Sequence, residues 1–84
     1  MEQYGWLSRM DLRETFAENL RRIRHQHGIS QEDLAHETEM SRSYLSQLEK
    51  GRFHVSIKII GRLAATLKVS PEEFLKPLGK SKRS

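Results

Sequence analysis

The chain has 84 residues and no cysteine, so it makes one small domain whose modest core neither disulfides nor a thiolate metal site can supplement. No run of about 18 apolar residues exists, which excludes a membrane-spanning helix. The net charge of +4 is unevenly spread: residues 1–41 carry five Arg and eight Asp or Glu, a net of −3, whereas residues 42–84 carry ten Lys or Arg and three Glu, a net of +7.

The opening MEQYGWLSRMDL has acidic residues and no continuous apolar core, unlike a signal peptide, and a cytoplasmic protein is expected. Residues 1–10 read as an extension. Its Trp6, Leu7 and Met10, with Leu12, either cover the first helix or form part of a dimer contact.

The first predicted helix runs from about Asp11 to His27, with Leu12, Phe16, Leu20 and Ile23 on one face and Gly28 as its stop. The second is SQEDLAHETE: Ser30 caps it, Asp33 takes the third position of a capping box, and Leu34 and Ala35 face inward. Only TEM, with Met40 buried, separates it from SRSYLSQLEKG, where Ser41 caps a third helix and Gly51 ends it. A connection this short sets two helices at a steep angle.

The fourth helix runs from the cap Ser56 to about Lys68, with Ile57, Ile60, Leu63, Ala64 and Leu67 forming its apolar stripe. Ser70, Pro71 and Glu73 open a fifth, sending Phe74 and Leu75 into the core until Pro77 ends it. Residues 79–84 are a short basic tail. With no strand pattern in competition, the chain reads as a compact all-α domain of five helices spanning residues 11–78.

In the third helix, Leu45 and Leu48 mark the buried direction. Arg42, Ser43, Ser46, Gln47 and Lys50 fall on the other side, at about 100° per residue. Arg pairs bidentately with guanine, Gln with adenine, and serine serves base or phosphate, so this face can read a major groove. The same residues also suit an ordinary solvated helix face. The one-sided positive charge points to a polyanion, nucleic acid before anionic membrane, or else to a solubilising surface.

Linked features separate these accounts. ISQEDLA, MSRSYLSQLEKG and IKIIGRLAATLKVSPEEFL together resemble the lambda-repressor-like helix-turn-helix domain of the Cro and xenobiotic-response-element type, over about Phe16 to Leu75. The resemblance places the motif at about residues 31–50. It implies that Gln31 grips a phosphate, and that Arg42, Ser43 and Gln47 reach base edges. It further implies that Tyr44 and Ser46 line the groove wall and that Arg52 faces the backbone; Lys50 joins this DNA-binding set. Glu49 matches a glutamate of structural role.

Two positions depart from the family pattern. Glu39 stands where a glycine is usual, at a cost on the order of 1 kcal/mol if the left-handed backbone is kept, with a local rearrangement as the alternative; Thr38 replaces an aliphatic residue. GRFHVS lacks the common proline, leaving Phe53 and Val55 to pack under the loop or against a partner chain.

The expected function is sequence-specific binding of double-stranded DNA as a homodimer on a two-fold-related operator, regulating transcription. RSYLS is similar to controller proteins of restriction–modification systems. A protein-interaction module of antitoxin or anti-repressor type is the rival, and basic RNA binding a third option. No enzyme motif, cofactor, membrane contact or small-molecule ligand is indicated, and His25, His27, His36 and His54 read as surface or capping residues rather than zinc ligands. No separate ligand-sensing domain is evident, so regulation would come from concentration, cooperative operator occupancy or a partner protein.

Overall fold

The structure is a computed structural model and describes residues 11–77. The readings made for Trp6, Leu7, Met10 and the basic tail lie outside these residues. Among the described residues four α-helices follow one another: α1 (Leu12–Gln26), α2 (Gln31–Glu37), α3 (Arg42–Glu49) and α4 (Ile57–Leu67). A 3₁₀ turn, Pro71–Leu75, replaces the fifth helix predicted from the sequence. Pro71 fixes one end, and Pro77 holds Lys76 in an extended conformation, leaving room for only a short, tight turn.

Every α-helix begins on a side-chain cap. Asp11 accepts from the Arg13 N–H, Ser30 from Asp33, Ser41 from Tyr44 and Ser56 from Ile59. Each such cap is worth about 1 kcal/mol. Ser70 makes no such bond; its hydroxyl turns to Glu72 instead, and Glu73 pairs with Lys76 rather than closing a capping box.

The helices end alike. Gly28, Glu39, Gly51 and Lys68 each take a left-handed backbone, with φ of 63°, 56°, 73° and 56°. After the first three, paired bonds close a Schellman motif: Gly28 N–H to His25 O and Ile29 N–H to Arg24 O, then Glu39 to His36 and Met40 to Ala35, then Gly51 to Leu48 and Arg52 to Gln47. Glu39 therefore adopts the strained conformation, and the turn between α2 and α3 is not rearranged. Thr38 fits its buried position because its hydroxyl donates back to Leu34 O at 2.7 Å. That bond satisfies the one polar group an aliphatic residue would lack.

Phe16, Leu20 and Ile23 of α1 meet Leu34, Ala35, Leu45, Leu48, Leu63, Leu67 and Phe74 in one core. The Phe16 and Phe74 rings lie 5.5 Å apart. Buried Asn19 ties the 3₁₀ turn to α1 by donating to both Phe74 O and Lys76 O at 3.0 Å. Three predicted core residues stay in water: Leu12, Ile57 (86 % exposed) and Leu75. Leu12 and Ile57 open their helices, one turn before the layer that buries their successors. Leu75 follows Phe74 in a helix of three residues per turn, so one inward position leaves its neighbour outside.

Candidate nucleic-acid interface

The interface is built from the ends of α2 and α3. In α3, Leu45, Leu48 and Glu49 are buried, and they set the direction in which the helix is anchored. At about 100° per residue the opposite side carries Ser43, Gln47 and Lys50, flanked by Arg42 and Ser46 on one edge and Tyr44 on the other. Arg42, Ser43 and Lys50 are exposed, while Tyr44, Ser46 and Gln47 are half-buried. Every side chain on this face carries a hydrogen-bonding group.

Gln31 opens α2 beside this face. Its side chain is held on both sides, with Nε2 donating to Glu49 Oε1 at 3.0 Å and Oε1 lying 3.5 Å from Arg42 Nε. Its backbone N–H is among the first of the helix, which have no acceptor within it and lie at the positive end of the dipole. The structure thus brings Gln31 and Arg42 together. Arg52 lies just past the Gly51 stop, exposed, with its own N–H used to close α3.

Phe53 does not pack under the loop. It is 45 % exposed, its ring lying 5.9 Å from that of Tyr44. Val55 is half-buried against the core. The missing proline is thereby offset by an aromatic pair that steadies both the loop and the edge of the α3 face.

Beneath the face lies a charge pair that periodicity does not reveal. Glu49, 3 % exposed, receives Arg24 Nε at 2.6 Å on Oε2 and Arg24 Nη2 at 3.0 Å on Oε1. Arg24 Nη1 donates to Ile29 O at 2.9 Å, and Arg21 Nη1 donates to the Glu49 carbonyl. Two arginines of α1 therefore clamp the end of α3 and the loop leading into α2. Arg62 from α4 adds a bond to Thr38 O at 3.2 Å, across the turn.

Among the described residues no group of three His, Asp or Glu side chains is arranged to hold a metal ion, and no helix is long and apolar enough to cross a membrane. His27 Nδ1 lies 3.0 Å from Ile23 O at the end of α1, and His25, His36 and His54 are exposed.

Comparison with known proteins identifies the family and the fold. The helix-turn-helix family model matches residues 20–74. A Neisseria hypothetical transcription factor, from Neisseria meningitidis serogroup B, is 37 % identical over 67 residues, covering 80 % of this chain and 63 % of the relative. The chain thus spans less than two thirds of that relative's length. A solved structure of a Neisseria hypothetical transcription factor superposes with a TM-score of 0.76, covering 86 % of this chain and 80 % of that one at 35 % identity. The restriction–modification controller protein C.AhdI from Aeromonas hydrophila is 37 % identical, with a TM-score of 0.71 over 74 % of this chain and 94 % of its own. The controller protein C.Esp1396I, solved as a tetramer on its natural 35 base-pair operator, is 29 % identical with a TM-score of 0.66, covering 77 % of this chain and 96 % of that one.

Proposed function

The chain belongs to the helix-turn-helix family, and from that premise we propose that it is a sequence-specific DNA-binding regulator of transcription acting as a homodimer. The observation that carries this reading is the polar α3 face, anchored by Leu45 and Leu48 from below and joined to α2 through the contact between Gln31 and Arg42. An α-helix fits the major groove of B-DNA, and a dimer would set two such helices in half-sites roughly 34 Å apart.

On this reading Arg42, Ser43 and Gln47 read base edges, while Tyr44 and Ser46 line the groove wall. Gln31, Lys50 and Arg52 contact phosphate. The likeness to C.AhdI and to the operator-bound C.Esp1396I tetramer supports both the ligand and the assembly, and supports a regulator of the restriction–modification controller kind. The DNA-binding unit is residues 11–78, preceded by an extension and followed by a basic tail. Its activity is binding rather than catalysis, and its place is the cytoplasm.

Selection from randomised duplexes, read by sequencing, tests the proposal. A two-fold-related site with half-sites one helical turn apart is the expected result. Recovery of no palindrome would overturn the regulator reading and favour a protein ligand.

A further inference from the structure

We propose that Glu49, with Arg24, is a positioning residue for base reading: it fixes the orientation of the Gln31 amide and thereby aims the guanidinium of Arg42. This rests on the DNA-binding reading above and concerns how that face attains discrimination.

The argument begins with what each group can do. A carboxylate only accepts hydrogen bonds, whereas an amide has a donating and an accepting end of nearly the same shape. Set against Glu49, Gln31 must turn its NH₂ inward, and that bond measures 3.0 Å. Its carbonyl oxygen then points outward, toward Arg42 Nε at 3.5 Å. Were the amide reversed, two donors would face one another across that gap, and Arg42 would be turned away.

Glu49 can dictate this because it is itself fixed. Arg24 grips both carboxylate oxygens, at 2.6 and 3.0 Å, and anchors on Ile29 O as well. The pair is buried, so water does not compete for the carboxylate. Constraint therefore passes from a buried ion pair, through one neutral amide, to an exposed arginine. With Nε turned toward Gln31, Arg42 presents its two Nη nitrogens end-on, a fork matched to the O6 and N7 acceptors of guanine.

A clamp that merely holds α2 to α3 would predict something different, and the difference is measurable. Fluorescence anisotropy would be run on the selected operator, on the same operator changed at the base pair whose preference Arg42→Ala relaxes, and on random duplex. Wild-type protein binding all three alike would refute the DNA-reading proposal itself. If wild type discriminates, Gln31→Ala is expected to lower the ratio at that base pair about 3- to 10-fold, the worth of one hydrogen bond. In an Arg42→Ala background Gln31→Ala should lower it no further.

The double variant Arg24→Met with Glu49→Met replaces the ion pair by apolar side chains, an exchange that is often neutral or stabilising. It is expected to show a cooperative melt and unchanged affinity for random duplex, yet the same loss of discrimination as Gln31→Ala. Additive effects of Gln31→Ala and Arg42→Ala, or a Met pair with the full wild-type ratio, would overturn the proposal. Should the Met pair fail to fold, Glu49→Gln takes its place. Its amide can donate as well as accept and so no longer dictates Gln31's orientation; an intact ratio in that variant refutes the inference equally.

Discussion

Replacing Glu39 by glycine should raise the stability of the domain, an unusual outcome for a substitution in the turn of a helix-turn-helix. Glu39 holds φ at 56° to let Met40 and its own N–H close α2 on Ala35 and His36. A residue with a Cβ gives up about 1–2 kcal/mol in that conformation. Glycine does not, but its freer unfolded chain takes back about 0.5–1 kcal/mol. The net gain is therefore about 0.5–1 kcal/mol, or roughly 2–8 °C in Tm for a domain of this size. Loss of a carboxylate at the negative end of α2 contributes a few tenths of a kcal/mol separately. Glu39→Ala measures that part, since it removes the charge and keeps the backbone strain. Thermal melts followed by circular dichroism would compare the three proteins. A Glu39→Gly variant melting no higher than Glu39→Ala would mean that strain in the left-handed turn does not exceed glycine's cost of about 0.5–1 kcal/mol, and the reasoning would fail.

Other expectations follow from the same contacts. Arg42→Ala should cost about 1–3 kcal/mol on the selected operator and relax preference at one base pair; equal weakening on random duplex would make Arg42 a phosphate contact instead. Arg52→Ala should weaken both DNAs and lower the salt slope by about 1, and an unchanged slope removes Arg52 from the interface. Glu49→Ala strands the largely covered Arg24 guanidinium and should cost up to about 3–5 kcal/mol in urea unfolding, where a loss under about 1 kcal/mol would show the pair to be screened. The Arg13 side chain, hydrogen-bonded to Asp11, holds that carboxyl below its ordinary value. Its contribution is thus present above the ordinary carboxylate range and fades as pH falls through the depressed value. NMR titration should show Asp11 ionising at higher pH in Arg13→Ala; no upward movement would contradict the assignment.

The features legible in the sequence are those written locally. Ser30, Ser41 and Ser56 each cap the helix that follows, because a short hydroxyl just before a helix can accept from the N–H three residues on. Gly28 and Gly51 mark stops because only the backbone is at issue there. Periodicity located Leu45 and Leu48, and hence the outward face of α3. It erred at Leu12, Ile57 and Leu75, since a repeat gives a direction around the helix axis but not how far along that axis the core extends. It also took the Pro71 segment for a longer helix, although two prolines six positions apart leave little chain for one.

Bonds between distant residues carry no such local sign. Arg24 and Glu49 stand 25 positions apart and Gln31 and Glu49 stand 18 apart, so neither spacing nor composition singles them out. Yet they explain why α3 functions with so narrow an apolar stripe. Two leucines alone would hold the helix to the core while leaving it free to roll about its axis. The Glu49 carboxylate and carbonyl, gripped by Arg24 and Arg21, resist that rotation at the C-terminal end. The Gln31 contact to Arg42 resists it at the N-terminal end. Fixing the rotation with polar bonds beneath the helix leaves its whole outer surface available for short polar side chains, which a wider hydrophobic stripe would have consumed.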